Sequence, residues 1–383
     1  MSGQLLRRLV TTGGTVALAL TLVVACGSQD TSSSSSAAVG SGSAPAWCGK
    51  KPLVFGMQDG GGLNAWSKAS ATEVKKVAAM CPNITKTLTV NAQFDLQKAI
   101  SGLQGMVAQG AKAVVIIPDA GGSGAAELTG IRNASKRGIT VVPWASDPGG
   151  KAGSDYLTYV DSDHQNDGKV WAEWMAERLP DGGNVAFIGG PAGNQVSADE
   201  LAGIVSGLAA HPNIKLVTGT STWVDGGWDP AKTQQATAGV LSQYDRIDGV
   251  FADEGVATTG IIKAFQSAGR PLVPTATLEA NALACDFQTL APANPGFALA
   301  TTSARNWTGR IAAQLAIAKA EGVTISDDEK LSPTPVVKLP LYEDSTAGGD
   351  LAPHCDPSSP PDSLLSNNMT DAQVRDITSG SGN

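Results

Sequence analysis

Carboxylates, amides and tryptophans recur where short apolar segments of the chain end. Asp119 follows the apolar segment 113–118, and Asp253 and Glu254 follow the segment 249–252. Similar turns lie at 58–66, 144–147, 161–163, 189–195, 228–229 and 279. Carboxylates accept hydrogen bonds from hydroxyls, amides donate and accept them, and indole faces cover the C–H face of a sugar ring. These side chains suit a neutral sugar or polyol, and they also suit a cation resting on tryptophan.

Several of these turns are glycine-rich and precede helical patterns, which raises the alternative of a phosphate ligand. None contains the G-x-G-x-x-G or G-x-x-x-x-G-K-[ST] pattern, and none contains Lys or Arg. Asp59, Asp119, Asp199 and Glu200 lie in or beside these turns and would repel an anion. The glycines are better explained by tight turns and by close approach of the backbone to a ligand.

Catalytic and metal-binding patterns are weak in this sequence. There is no G-x-S-x-G, and His164, His211 and His354 are scattered along the chain, so no Ser-His-Asp set is indicated. Asp161 and Asp163 resemble the start of a calcium loop, but the expected glycine and the twelfth-position glutamate are missing. We therefore expect a binding protein rather than an enzyme, with no cofactor and no metal.

The elements that position these turns follow a βα rhythm. Buried-strand patterns at 53–57, 84–90, 113–118 and 139–144 alternate with helical periodicity, and the alternation resumes from 156 to 268. Strands that alternate with helices predict parallel sheets covered on both faces. The two runs predict an α/β fold with two doubly wound parallel-sheet lobes.

The two ends of the chain differ from this central region. Arg7 and Arg8 precede a short apolar stretch, and Val-Val-Ala-Cys26 resembles the lipobox of bacterial lipoproteins. We expect residues 1–25 to be a signal peptide, Cys26 to carry lipid, and the Ser/Gly-rich residues 26–46 to be a flexible linker. Residues 346–383 are expected to form an extended tail. These features predict an extracytoplasmic protein anchored to a bacterial membrane by lipid.

Composition excludes some partners and permits disulfides. The net charge of −8 and the absence of basic clusters argue against binding nucleic acid. Apart from Cys26, the cysteines are Cys48, Cys81, Cys285 and Cys355, which allow three pairings in an oxidising compartment. We favour Cys48–Cys81, because a β-α unit returns its helix end to the start of its strand. Cys285–Cys355 then follows largely by elimination.

Six segments in order resemble a known family. They are QKAISGLQGMVAQGAKAVVIIP at 97–118, RNASKRGITVVP at 132–143, VDSDHQNDGKVWAEWMAERL at 160–179, GNVAFIGGP at 183–191, IDGVFADEGVATTGIIKAFQSAG at 247–269 and FALATTSARNWTGRIAAQLA at 297–316. They resemble the sugar-binding periplasmic-binding-protein family, the solute receptors of ABC importers. The resemblance implies a type I fold, with a ligand cleft between the lobes and a membrane permease as partner.

The resemblance also implies boundaries. Three hinge crossings are expected near 145–147, 275–279 and 333–337. A proline lies at or just before each of them: Pro143, Pro274 and Pro333. One lobe would then comprise 47–146 and 277–332, and the other 147–276 and 333–345. We expect a monomer.

Ligand contacts are implied by position in the family. They are Asn64, Trp66, Asp119, Trp144, Gln195, Trp228, Asp253, Glu279, Arg305, Asn306 and Trp307. Two arginines that sugar binders of the family often carry are replaced here by Ser146-Asp147 and by the segment 197–200, which indicates an atypical ligand. A small neutral sugar or polyol is the main interpretation. The alternatives are a cationic solute, or a sensor that feeds a membrane signalling protein.

Overall fold

The structure, a computed structural model, describes residues 43–62, 64–120 and 124–380. The expected signal peptide, Cys26 and the linker up to residue 42 lie outside these residues. None of the helices in these ranges combines the length and apolar character that a membrane span requires.

The helices and strands alternate along the chain as the hydrophobic pattern predicts. In order they are β1 Leu53–Asp59, α1 Ala65–Ala79, β2 Ile84–Asn91, α2 Leu96–Ala108, β3 Ala113–Ile117, α3 Leu128–Lys136, β4 Thr140–Pro143, β5 Asp161–Ser162, α4 His164–Arg178, β6 Gly183–Gly189, α5 Gln195–Leu208, β7 Ile214–Leu216, β8 Val224–Asp225, α6 Pro230–Gln243, β9 Gly249–Ala252, α7 Gly255–Ser267, β10 Thr275–Leu278, α8 Asn281–Leu290, β11 Leu299–Thr302, α9 Thr308–Glu321, β12 Val336–Val337, β13 Glu343–Asp344 and α10 Asp371–Ser379.

Side-chain caps define where several helices begin. Asp95, Asp163, Asp229 and Glu254 each accept a hydrogen bond from a backbone N–H in the first turn of the following helix. Such caps satisfy donors that the helix itself cannot pair. They also place the carboxylate at the carboxyl end of the preceding strand, which is the edge where ligands meet α/β sheets.

The strands of the described chain form two main sheets. The first sheet has the order β2-β1-β3-β4 and is parallel throughout. The second has the order β13-β11-β10-β9-β6-β7, with β8 also paired to β6, and only its edge strand β13 is antiparallel. Helices pack against both sheets, so two doubly wound lobes are confirmed.

The second crossing lies later in the chain than expected. Residues 277–302 were placed in the first lobe, but β10 pairs with β9 and β11 pairs with β10, so this segment belongs to the second sheet. Pro274 therefore precedes a strand instead of marking a hinge, since its carbonyl accepts a ladder bond from Val250 N at 3.0 Å. The chain returns to the first lobe through residues 303–307.

The first crossing is also displaced. Residues 147–159 were assigned to the second lobe, yet Tyr156 packs in the core of the first and Leu157 N donates to Val141 O at 2.9 Å. The chain leaves the first lobe near Val160 and enters β5. The short β12 pairs with β5, so the crossing expected at 333–337 runs beside the first crossing.

Helix α9 closes the first lobe after the chain has returned to it. Ile311, Ala312, Ala316 and Ile317 are buried in one cluster with β1, β3 and α1. A Cβ on Gly309 would lie 2.8 Å from the Trp144 ring, so only glycine lets the first turn of α9 approach that indole.

The tail segment, residues 345–380, is ordered and spans both lobes, contrary to the extended tail expected. Cys355 forms a disulfide with Cys285 on α8, in the second lobe. Helix α10 packs Val374 into the core of the first lobe, and Arg310 of α9 donates to the carbonyls of Asn367 at 2.6 Å and Met369 at 2.7 Å. Proline-rich composition misled the prediction, because these contacts lie far away in sequence. The Cys48–Cys81 disulfide is also formed.

Candidate functional site

Buried hydrogen-bond acceptors line the carboxyl edge of the first sheet. Glu127 accepts from Gln58 Nε2 at 2.8 Å and from Ala120 N at 2.9 Å, which holds the turn after β3 against the end of β1. Desolvation raises the pKa of Glu127 to about 7 and that of Asp59 to about 6. Asp119 lies partly exposed at this edge, and desolvation, reinforced by the charge of Asp59, raises its pKa to about 6.

Asp253 organises the corresponding edge of the second sheet. Its carboxylate accepts hydrogen bonds from Gly190 N at 2.9 Å, from Ser197 Oγ and from Trp228 Nε1 at 3.0 Å. The Trp228 indole lies against Gly190, where a Cβ would be only 2.2 Å from the ring. Desolvation raises the pKa of Asp253 to about 6. An acceptor and a half-buried indole therefore lie side by side.

Trp66 connects the two lobes. Its indole stacks on Trp144 with ring centroids 5.8 Å apart, and its Nε1 donates to Ala304 O at 2.8 Å in the second crossing. Asn306 donates to Trp66 O at 2.9 Å and to Ser70 Oγ at 2.8 Å. Trp307 is buried and donates to Ser303 Oγ at 2.9 Å. The expected residues of this segment therefore join the second crossing to α1.

A charged cluster lies where the first two crossings meet the second lobe. It comprises Asp161, His164, Asp167, Glu200 and Arg305, all buried. Arg305 donates to Asp167 Oδ2 at 3.2 Å and to Glu200 Oε1 at 3.1 Å. His164 Nε2 lies 2.7 Å from Asp161 Oδ2, which also accepts from Tyr159. The cluster ties both crossings to α4 and α5.

Two glycines allow α4 and α5 to assemble this cluster. A Cβ on Gly168 would lie 2.0 Å from Glu200 O, and a Cβ on Gly203 would lie 2.1 Å from Gln165 O. The helix backbones are therefore in direct contact. This approach brings His164 and Asp167 of α4 beside Glu200 of α5.

Opposing effects set the pKa values within the charged cluster. Burial is the largest single effect on the pKa of His164 and lowers it, but the charge of Asp161 and the hydrogen bonds to Asp161 and Glu200 together raise that pKa to about 10. Desolvation raises the pKa of Glu200 to about 7 and that of Asp167 to about 6. Burial is also the largest effect on Asp161, but its pKa is lowered because the charges of His164 and Arg305 and the hydrogen bonds from His164 and Tyr159 together outweigh that burial.

The cluster is electrostatically continuous with both sheet edges. Asp161 and His164 lie near enough to Asp119 for their charges to act on its pKa. Arg305 lowers the pKa of Asp253 against the larger effect of desolvation. A chain of charged groups therefore runs from the first sheet edge, through the crossings, to the second.

Four of the expected contact residues make other contacts within the protein. Asn64 caps α1 by accepting from Ser67 N at 3.0 Å. Gln195 is exposed and donates to Asp199 Oδ1 at 3.0 Å. Glu279 is buried and accepts from Leu365 N at 2.9 Å and Ser366 Oγ at 2.7 Å, both in the tail segment. Trp144 is fully buried in the first-lobe core.

The sequence did not predict His164, Asp167, Glu200 or Glu127 as site residues. They lie inside helices or directly before one, one to eight residues beyond the strand-ending turns. The small residues Gly168 and Gly203 are the only local signal, since they predict close helix packing. Which polar side chains that packing brings together depends on the pairing of α4 with α5.

The structure therefore comprises two α/β lobes joined by several crossings, with hydrogen-bond acceptors and an indole at the carboxyl edges of the sheets. The profile of the periplasmic binding protein domain matches residues 61–322, and the chain belongs to this family.

Curated relatives match part of the chain. A ribose import binding protein of Bacillus subtilis is 26% identical over 188 residues, 49% of this chain and 58% of the relative. A xylitol-binding protein of Mycolicibacterium smegmatis is 25% identical over 185 residues, 48% of this chain and 50% of the relative. The chain thus spans about half the length of the curated relatives that it matches.

Solved structures share the fold over a longer range. A Caulobacter myo-inositol binding protein has a TM-score of 0.63 and 21% identity, covering 76% of this chain and 92% of that one. An ABC transporter solute binding protein of Mycobacterium smegmatis, with bound glycerol, has a TM-score of 0.63 and 21% identity, covering 79% and 99%. At this identity the likeness shows the fold alone.

Proposed function

We propose that this chain is the extracytoplasmic receptor of an ABC importer, which captures a small neutral sugar or polyol between its lobes and delivers it to the membrane permease. The observation that carries the proposal is the pairing of Asp253 with Trp228 at the carboxyl edge of one sheet, together with the acids Asp59 and Asp119 at the carboxyl edge of the other. Named relatives that bind ribose and xylitol support the ligand class.

The charges favour a hydroxylated ligand over an anionic one. Arg305 is engaged by Asp167 and Glu200, so its guanidinium is not available to a ligand carboxylate or phosphate. Asp253 Oδ1 retains one lone pair that can accept from a ligand hydroxyl, while Trp228 presents the face of an indole. These acceptors would replace hydrogen bonds that the ligand hydroxyls lose when they leave water, and the indole would cover the apolar face of the sugar.

The contact set proposed from the sequence narrows accordingly. Asn64, Trp66, Asp119, Trp228 and Asp253 remain proposed ligand contacts. The buried Trp144 and Trp307, together with Asn306, are proposed to position Trp66 and the second crossing. Arg305 is proposed to hold the charged cluster, Gln195 to be a surface residue, and Glu279 to hold the tail.

The remaining features of the proposal concern the cellular setting. Cys26 would carry the lipid that anchors the receptor to the outer face of the cell membrane. The serine-rich residues 27–46 would form the flexible linker between the lipid and the folded protein. The protein would work as a monomer and without catalysis, since its part is to bind and release solute.

A binding screen with matched variants tests this proposal. The full chain, purified in detergent, is screened by thermal shift against ribose, xylitol, myo-inositol and spermidine, and any ligand found is titrated by calorimetry. Replacing Asp253 by Asn should weaken sugar or polyol binding by about 5- to 150-fold, the equivalent of 1–3 kcal/mol for a buried unpaired group. Replacing the exposed Gln195 by Ala should leave the affinity unchanged. Stabilisation by spermidine alone would overturn the ligand class, and equal affinity of wild type and Asp253→Asn would overturn the site.

A further inference from the structure

The charged cluster leaves three side-chain atoms without a hydrogen-bond partner among the described residues. They are His164 Nδ1, Asp167 Oδ1 and Glu200 Oε2, and all three are buried. The parent side chains are also buried, with at most 7% of any one exposed. Buried polar atoms are nearly always paired, because an unpaired one costs about 1–3 kcal/mol. Three such atoms in one cluster indicate a group that these side chains bind together.

The orientation of His164 indicates what kind of group this is. Its Nε2 is directed at Asp161 Oδ2, 2.7 Å away, so the ring presents Nδ1 to Asp167 and Glu200. Nδ1 lies 3.6 Å from Glu200 Oε1 and 4.0 Å from Asp167 Oδ2, beyond hydrogen-bond distance from both. A histidine that donates one ring nitrogen to a carboxylate and presents the other to acidic side chains has the arrangement found around protein metal ions. Tyr159 donates to the same Oδ2 of Asp161 and helps to fix that carboxylate.

We propose that His164, Asp167 and Glu200 form a binding site for a divalent transition-metal ion of the zinc type. One ligand atom from each residue lies within 4.8 Å of the others. Ligands at about 2.0–2.2 Å from a shared zinc ion stand roughly 3.3 Å apart. Small side-chain rotations therefore suffice to bring the three atoms onto one ion. The set contains three protein ligands, and a fourth position is left for water or solute.

Formal charge supports a divalent cation in this place. Asp161, Asp167 and Glu200 bring three negative charges, and the guanidinium of Arg305 balances one of them. With a neutral imidazole, two negative charges remain in a buried site, which a divalent ion would neutralise. Metal binding would displace the proton that His164 otherwise carries.

Arg305 is compatible with this assignment because it leaves one oxygen of each carboxylate unpaired. Its nitrogens bond Asp167 Oδ2 and Glu200 Oε1, the oxygens that also lie nearest to His164 Nδ1, while Oδ1 and Oε2 accept no hydrogen bond from the described residues. Arg305 therefore acts as a positioning residue that holds the two carboxylates side by side. The nitrogen ligand disfavours Ca²⁺ and Mg²⁺, which prefer oxygen, and favours Zn²⁺ among common divalent ions.

The test is direct metal binding by the full chain. Protein stripped with a chelator is titrated with Zn²⁺ by calorimetry, and Co²⁺ is added separately to record its d–d absorption spectrum. One Zn²⁺ per chain is expected, with Co²⁺ absorption typical of a mixed nitrogen and oxygen site, and Ca²⁺ should not compete. A wild-type chain that binds no Zn²⁺, or that binds Ca²⁺ more tightly, would overturn the proposal without any variant.

Variants locate the site. His164→Gln should reduce Zn²⁺ affinity by at least 100-fold, and Asp161→Asn by about 10- to 100-fold through loss of histidine positioning. His211→Gln and His354→Gln remove the other two histidines of the chain and serve as matched controls with unchanged affinity. If His164→Gln does not fold, Asp161→Asn and the Co²⁺ spectrum decide. Zn²⁺ affinity that falls in the control variants but not in Asp161→Asn would place the metal elsewhere.

Discussion

The carboxylate of Glu279 accepts three hydrogen bonds from the tail segment. Leu365 N donates to Oε2 at 2.9 Å, while Ser366 N and Ser366 Oγ donate to Oε1 at 3.2 and 2.7 Å. Burial nevertheless raises the pKa of Glu279 to about 7, and the nearby charge of Glu343 adds to the rise. Glu279 directly follows β10, where a ligand contact was expected, and its carboxylate accepts hydrogen bonds from the tail segment instead.

The raised pKa of Glu279 predicts how stability depends on pH. The folded chain holds a proton on Glu279 that the unfolded chain has already lost, so its contribution is full below about pH 4.5 and is lost as the pH rises through about 7. A shift from 4.5 to about 7 corresponds to on the order of 3 kcal/mol. Urea unfolding at pH 5, 6, 7 and 8 should show the free energy of unfolding falling as the pH rises, and Glu279→Gln should make that fall smaller.

Glu177→Gln, at a carboxylate that is 70% exposed, is the control and should retain the wild-type dependence on pH. Parallel curves for wild type and Glu279→Gln would contradict the assignment.

At the scale of elements, hydrophobic periodicity predicted the strands and most helices. Packing on a sheet requires apolar residues at a regular spacing within each element, so the pattern can be recognised from a short stretch of sequence. It could not predict which sheet β10 and β11 join, since that depends on pairing with β9. The prolines were ambiguous in the same way: Pro274 directly precedes strand β10, whereas Pro335 lies at a crossing, where its carbonyl accepts from Asp161 N at 3.1 Å. At the site, Asp253 and Trp228 were identifiable from strand ends, but the charged cluster depends on how α4 meets α5.

The contact between α4 and α5 predicts opposite outcomes for two Gly→Ala substitutions. Gly203→Ala would place a methyl group 2.1 Å from Gln165 O, so the helices must separate. We expect a loss of about 1–3 kcal/mol or more of unfolding free energy. Gly239→Ala on α6 meets nothing within 4 Å and should stabilise by about 0.4–1 kcal/mol. Denaturant unfolding of both variants provides the measurement. Equal effects would show that α4 and α5 do not pack as described.

The tail segment contacts both lobes of the molecule, in addition to the crossings that join them. It is fixed to the second lobe by Cys285–Cys355 and to the first by α10 and Arg310. It also contacts the second crossing, where Asn367 Nδ2 donates to Asn306 Oδ1 at 3.2 Å. The two lobes are therefore tied by a further segment beside the crossings, and any opening of the cleft must stretch or release these contacts.

A chain nicked in the tail segment tests this arrangement. Residues 346–350 are exposed, so a protease site inserted there can be cut without disturbing buried contacts. While the disulfide is intact, Cys355 still holds the cut segment on α8, and we expect the melting temperature to change by only a few degrees.

Reduction should then release the segment and expose Glu279 and Arg310. In the uncut chain this disulfide closes a loop of 70 residues, for which chain entropy alone gives about 4 kcal/mol; a cut within the loop removes that contribution. Uncut protein under the same reductant is the control, since it loses both disulfides but keeps the tail covalently attached. The nicked, reduced chain should melt well below this control and show a larger radius of gyration by X-ray scattering. If the two reduced samples melt together, the tail contributes no tie between the lobes, and opening is limited by the crossings alone.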